Sequence, residues 1–121
     1  MQTIVCYARM PGLLARAVCN NHVHSTASPV VVVEGSLVRD RCPLAAHGGI
    51  RIGEPMSRAR RLCVPLLAVA LADVDTQVTA SLSTRFLDVL AAHTPIVEPD
   101  GPDAAYADFT GGPVPDLATL T

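Results

Sequence analysis

The sequence predicts an α+β fold, and three stretches carry that prediction. Pro29 to Glu34 reads PVVVVE, a wholly apolar β-branched run suited to a central strand. Val78, Leu82, Phe86 and Leu90 recur every fourth residue, with Leu87 and Val89 beside them, which is the period of one long amphipathic helix. Ile96 to Gly111 places two short apolar runs on either side of Pro99, Asp100, Gly101 and Pro102, so it reads as a β-hairpin.

The remaining elements fall between these. Thr3 to Tyr7 is a β-branched and apolar run suited to a buried first strand. Pro11 stands where a helix can begin, and Leu13, Leu14, Ala17 and Val18 give it an apolar face that ends near Asn20. The polar stretch NNHVHSTASP is a loop. After the central strand, Gly35 lets the chain turn into a second strand at about Leu37 to Arg41. Pro43 to His47 makes one helical turn stopped by Gly48 and Gly49, and Pro55 opens a helix running to about Leu62. That helix buries Ala59, Leu62 and Cys63. Leu66 to Ala72 is an apolar connector or strand, and Asp73 or Asp75 caps the long helix, which reaches about His93. The stripe of this helix needs a sheet to cover, and the hairpin and the first strand are its natural partners.

A chain of 121 residues is long enough for one domain with a modest core. Half its residues are hydrophobic, which excludes disorder throughout, but with only two Tyr and two Phe the core must rely on Val, Leu, Ile and Ala. The longest clean apolar run, Val64 to Ala72, is too short to cross a bilayer, and no basic segment precedes an apolar one at the N-terminus. The expectation is a cytoplasmic protein with no membrane partner. Cys6, Cys19, Cys42 and Cys63 lie far apart and read as reduced thiols. Cys19, His22 and His24 share a loop without a fourth ligand at suitable spacing, so no zinc site is expected.

A net charge of −2 argues against strong general affinity for nucleic acid. Its distribution is uneven. There is no Lys, and six of the nine Arg (Arg39, Arg41, Arg51, Arg58, Arg60 and Arg61) fall between positions 39 and 61, where Asp40 and Glu54 are the only acids. Arg51, Arg58 and Arg61 are the candidate DNA-backbone contacts, although a solvated helix face would look the same. So few aromatics give no expectation of base-stacking platforms. Asp103, just after the hairpin turn, is the candidate carboxylate for a metal or phosphate; a turn-capping or salt-bridged role is the plainer reading.

The hairpin stretch also resembles the second acidic motif of the Y-family (translesion, DinB/UmuC-type) DNA polymerases, T-P-x-V-E-P-x-S-I-D-E-A-Y-x-D-x-T-G. Thr94, Pro95, Val97, Glu98, Pro99, Asp103, Ala105, Tyr106, Asp108, Thr110 and Gly111 fall in register. Upstream, Gly49, Arg51, Gly53, Pro55, Ala59, Leu62 and Cys63 match the family's G-[VI]-R-x-G-M-P-x-x-x-A-x-x-L-C. The resemblance implies a partial ferredoxin-like palm made of the first strand (1 to 11) and of residues 74 to 121, with a small fingers domain inserted at 12 to 73. It implies further that the rest of the palm, a thumb and a DNA-gripping domain belong beyond Thr121, leaving part of the sheet bare, so the isolated chain is expected to self-associate.

The same resemblance exposes departures. Family members hold two Mg²⁺ ions with an Asp-x-Asp pattern ending the first strand and an Asp-Glu pair in the hairpin; here Arg9, with Pro11 nearby, and Ala104 stand at those positions, and only Asp103 remains. A lone carboxylate facing Arg9 suits an ion pair better than a metal. The aromatic that bars ribonucleotides would fall near Leu13 or Leu14, and the Tyr and Arg that grip the triphosphate fall on Pro43 and Ala46. The pattern resembles the catalytically inactive ImuB-like homologues of bacterial mutagenesis cassettes, which join a translesion polymerase to the sliding clamp. The expectation is therefore a DNA-repair protein without catalytic residues, metal or other cofactor, binding damaged or primer-template DNA weakly. The alternatives are a piece of a genuine Mg²⁺-dependent polymerase, or a protein-interaction module that no longer touches DNA.

Overall fold

The computed structural model describes residues 3–21 and 28–110; His22 and His24 lie outside them. The chain forms two compact units, one of Met1–Met10 with Ala80–Thr121 and one of Pro11–Thr79. In order the elements are β1 (Val5–Arg9), α1 (Leu13–Asn21), β2 (Val30–Glu34), β3 (Leu37–Arg41), α2 (Pro43–His47), α3 (Met56–Leu62), β4 (Leu67–Ala70), a 3-10 turn (Leu71–Asp73), α4 (Thr76–Ala91), β5 (Val97–Pro99) and β6 (Ala104–Asp108). The mixed α+β class is as the sequence predicts.

The unit of Pro11–Thr79 is built on a three-stranded sheet in the order β3-β2-β4. β2 is central: it pairs antiparallel with β3 and parallel with β4, from Val30 beside Leu67 to Val33 beside Ala70. Its all-valine run is explained by this position, since Val30, Val31 and Val32 are fully buried and a central strand has no solvent face to make polar. The open edge of β3 is covered by the loop ahead of α3. Gly53 N–H donates to Val38 O at 2.7 Å, Val38 N–H to Glu54 O at 2.9 Å, and Met56 N–H to Ser36 O at 2.9 Å. An edge that would otherwise invite a second chain is thereby satisfied.

Asp40 on β3 is the least expected member of this core, being a fully buried carboxylate. Its Oδ1 accepts from Gly12 N–H at 2.7 Å and its Oδ2 from Ala15 N–H at 3.0 Å, so the strand supplies the N-terminal cap that α1 lacks in its own sequence. The first N–H groups of a helix have no internal partner, and a carboxylate there answers both the orphaned donors and the positive end of the helix. Leu13, Leu14, Ala17 and Val18 then point inward, as their spacing predicts.

α3 departs from expectation. Met56, Ala59 and Cys63 are its buried line, whereas Leu62 is 39% exposed. The stripe starts one turn earlier than the sequence suggested, at Met56, whose N–H is bonded to the β3 edge, and Leu62 lies on its flank. Cys63 is held close: a Cβ built on Gly48 would come within 2.5 Å of its Sγ. Gly48 therefore serves the approach of a side chain.

In the other unit the sheet order is β1-β6-β5, all antiparallel. β1 is an edge strand, so the buried first strand expected at Thr3 to Tyr7 is corrected: Ala8 is buried, but Val5 and Tyr7 face solvent. An edge strand in a sheet with one open face alternates instead of burying everything. α4 ends at Ala91, two residues before His93. Asp75 caps it through Oδ1, which accepts from Gln77 N–H at 2.9 Å and Val78 N–H at 3.0 Å. Phe86 and Leu90 are its buried residues, and Ala104, Ala105, Ala107 and Phe109 are those of β6 and its end.

Asp40→Ala should destabilise the chain by about 2–3 kcal/mol, because two buried N–H groups lose their acceptor. Asp75→Ala, at an exposed cap, should cost only about 1 kcal/mol. Urea unfolding followed by circular dichroism checks the pair; equal midpoints for the two variants would contradict the assignment of Asp40 as a buried cap.

Candidate functional site

The site begins with the ladder between β1 and β6. Val5 lies opposite Asp108, Tyr7 opposite Tyr106 and Arg9 opposite Ala104. Directly opposed residues of an antiparallel pair project to the same face. The ladder is closed at both ends. At one, Phe109 N–H donates to Ile4 O at 2.8 Å and Ile4 N–H to Thr110 Oγ1 at 2.9 Å. At the other, Met10 N–H donates to Asp103 O at 2.7 Å. Gly101, at φ 75°, makes the turn that brings Asp103 back to β1.

Arg9 and Ala104 thus meet across one rung, with Asp103 at its end. The strand, the hairpin and the turn bring these three positions to one end of the ladder, with Asp103 beside Met10. Asp103 is only 3% exposed, while Arg9 is exposed. Of the four positions at which the Y-family resemblance implies metal-ligating acids, the two that meet on this rung are occupied by a guanidinium and a methyl group. Among the described residues no three His, Cys, Asp or Glu side chains gather in a way that could hold a metal ion. Leu13 and Leu14 are buried in α1, Pro43 is exposed, and Ala46 is half-buried. None of these four offers a ring to a sugar or a charge to a phosphate.

The motif residues Thr94 and Thr110 have structural work in this unit. Thr94 Oγ1 donates to Asp108 O and accepts from Ile96 N–H at 3.3 Å, locking the entry of β5 to the exit of β6. Thr110 N–H donates to Asp108 Oδ1 at 2.8 Å. Hydrogen bonds from the Thr110 hydroxyl and N–H hold the Asp108 carboxyl below its ordinary pKa. On the exposed face Tyr7 and Tyr106 stack at a tilt, ring centroids 4.8 Å apart, and Tyr7 Oη donates to Asp100 Oδ2 at 2.9 Å. That hydrogen bond, foremost, raises the phenol of Tyr7 above its usual value. Sequence reading missed this pair, since only the register reveals that residues so far apart in the chain are neighbours.

The basic segment belongs to the other unit. Arg39 lies 3.9 Å from Glu34, and Arg41 is half-buried with its Nε enclosed and without a hydrogen-bond partner. Arg51, Arg58, Arg60 and Arg61 remain exposed. Glu54 organises two of them: its Oε1 accepts from Arg51 N–H at 3.0 Å and its Oε2 pairs with Arg58 Nε at 2.9 Å. The three candidate contacts are therefore all accessible, but Arg58 carries a partner, and Arg60, which was not singled out, is as open as the others. Of the two acids in this segment Asp40 is withdrawn into the core and Glu54 is engaged. With Asp40 withdrawn into the core, the exposed surface of Arg51 to Arg61 carries four arginines against Glu54.

Comparisons with known proteins agree on the fold. The fold is that of Y-family DNA polymerases. A Dbh-Dpo4-Dbh chimera of such a polymerase superposes with a TM-score of 0.61 at 20% identity, over 86% of this chain and 31% of that one. A Dbh ternary complex gives 0.63 at 20% identity, over 86% and 30%, and an insertion ternary complex of Dbh DNA polymerase gives 0.60 at 19% identity, over 85% and 31%. The chain spans about a third of the length of these polymerases. No curated protein matches the sequence. The impB/mucB/samB family model matches residues 10–119, and the chain belongs to that family of Y-family polymerases. The matched range begins just after Arg9, so the placement of Arg9 rests on the ladder.

The lowered pKa of Asp108 carries a pH dependence. A carboxyl whose folded pKa lies below its unfolded value of about 3.9 contributes stability above that value and loses it as pH falls through the folded pKa. Carboxyl NMR should show Asp108 titrating below the ordinary Asp range, and Thr110→Val should move it part of the way back up and reduce that acid-side contribution, since the N–H at position 110 still donates. An unchanged titration in the variant would dismiss the hydroxyl as the cause.

Proposed function

We propose that the chain is a catalytically inactive Y-family polymerase-like protein that serves DNA repair or translesion synthesis as a DNA-binding or adaptor component. One observation carries the reading: across the β1–β6 ladder Arg9 faces Ala104, so the rung where acids would clamp metal offers a cation and a methyl group. Polymerase phosphoryl transfer needs two divalent ions, because charge builds on both the attacking and the leaving oxygen. Asp103 alone, buried beside a guanidinium-bearing strand end, does not fit that role, and no step through a metal is assigned to this chain. Asp103 follows Gly101 at the buried end of the hairpin turn, where its backbone carbonyl accepts from Met10 N–H. Under the same reading the protein works in the cytoplasm, the sliding clamp and a partner polymerase engage regions outside this chain, and an uncovered edge of the sheet favours self-association when the chain is isolated. Among the described residues no helix is long and apolar enough to cross a membrane.

Contact with DNA falls to Arg51, Arg58 and Arg61. The Arg58–Glu54 pair is no obstacle, since an exposed ion pair is worth at most about 1 kcal/mol and a phosphate can displace the carboxylate. Arg51 and Arg58 stand on either side of Glu54, and Arg61 follows one helical turn later, a spacing suited to tracking a backbone without reading bases.

Primer-extension assays on gapped or lesion-bearing template with Mg²⁺ or Mn²⁺ should yield no product. Reproducible extension that Asp103→Asn abolishes would establish the genuine-polymerase alternative instead.

DNA binding should be weak and steeply salt-dependent. Joint Arg58→Ala and Arg61→Ala substitution should weaken it alike for all sequences and flatten the salt slope by about two. Glu54→Gln, which frees Arg58, should strengthen it. Fluorescence anisotropy across a salt series measures all three, and no binding even at low ionic strength would leave the interaction-module alternative.

A further inference from the structure

The exposed face of the β1-β6-β5 sheet sets three residues of the hairpin motif, Glu98, Tyr106 and Asp108, beside Val5, Tyr7 and Arg9 of β1. Glu98 lies opposite Tyr106, which lies opposite Tyr7, so one row crosses the sheet as an acid and two stacked phenol rings. On one side of that row stand Arg9, Ala104 and Asp100, whose N–H donates to Ala104 O. On the other stand Val5, Asp108 and Ile96, whose O accepts from Asp108 N–H. Val5, Tyr7, Ile96 and Tyr106 are exposed to 56%, 48%, 59% and 46%. Three carboxylates and one guanidinium share a face whose centre is aromatic.

We propose that this face is a docking surface for an arginine-bearing segment of a partner protein. A guanidinium is attracted to the electron-rich face of a tyrosine ring and pairs in a planar fork with a carboxylate. Tyr7 and Tyr106 offer the ring faces, Glu98 and Asp100 flank them, and Val5 and Ile96 receive an aliphatic stem. The hydrogen bond from Tyr7 to Asp100 fixes one ring and one carboxylate before any partner arrives, which lowers the ordering cost of binding. Charge selects against other occupants. Phosphates would meet a net negative face, and a symmetric pair of copies would set Glu98, Asp100 and Asp108 against their own like.

The inference deepens the adaptor reading and rests on it in one respect: an active polymerase would need this face for primer and template. The test uses the full 121-residue chain. A fluorescein-labelled peptide of alternating arginine and glycine is titrated beside the same peptide with citrulline for arginine, and beside labelled oligothymidine. The arginine peptide should bind, with amide shifts in NMR spectra centred on Tyr7, Glu98 and Tyr106, and the citrulline peptide should bind at least tenfold more weakly. Tyr106→Ala should weaken binding roughly fivefold or more, and Glu98→Gln roughly threefold. Glu98 is exposed, so the second variant keeps the test sound if the first fails to fold. Equal binding of the arginine and citrulline peptides, or peptide shifts confined to the Arg51 to Arg61 unit, would overturn the proposal. So would oligothymidine binding that Tyr106→Ala removes, or dimerisation through this face. Absence of peptide binding in a preparation that also extends no primer would sink this surface alone and leave the inactive reading standing; primer extension would sink the inactive reading.

Discussion

The register of β1 on β6 is the constraint from which the rest of that unit follows. Five consecutive pairs, from Val5 with Asp108 to Arg9 with Ala104, are held in place by backbone bonds at both ends and by the hydroxyl of Thr110. A slip of one residue would carry Tyr7 and Tyr106 to opposite faces, separate Arg9 from Ala104, and bring Ala8 and Ala105 out of the interior. The clasp of Ile4, Phe109 and Thr110 and the bond from Met10 to Asp103 therefore decide what this surface can do chemically. Thr94 extends the same logic to β5, because its hydroxyl bridges the two strands of the hairpin.

The unit of Pro11–Thr79 depends on a comparable device of different chemistry. Burying a carboxylate without partners is costly, so Asp40 is tolerable only because Gly12 and Ala15 present N–H groups to both its oxygens. In exchange, β3 and α1 are tied together at one point. The withdrawal of Asp40 also leaves the arginines of Arg51 to Arg61 with Glu54 as their near counter-charge. One structural choice in the core thus shapes the electrostatics of the surface.

The two units divide the functional reading between them. One offers exposed arginines on a loop and a short helix; the other offers an aromatic and acidic sheet face where a polymerase would carry metal ligands. On the proposed reading, in which the metal ligands are gone and the ladder is kept, the sheet remains a rigid platform, and rigid sheet faces position side chains for recognition as well as for catalysis.

Much of this was legible in the sequence because it depends on local physics. The run of valines, the four-residue recurrence along α4, Pro43 and Pro55 at helix starts and the Pro-Asp-Gly-Pro turn each act over a few residues, so the elements they dictate lie where the sequence puts them. The meeting of Asp103 with the end of β1 was legible too, through the motif rather than through any periodicity. What tertiary structure alone decided are the facts of partnership. Asp40 looked like one acid among arginines until α1 came to lie on it; Leu62 looked buried, but the buried line of α3 runs through Met56, Ala59 and Cys63 instead. Tyr7 and Tyr106 were two of only four aromatics in the chain until the ladder set them 4.8 Å apart. Each of these turns on contacts between residues distant in sequence, and such contacts are chosen by the packing of the whole unit, for which no local pattern of residues carries a signal.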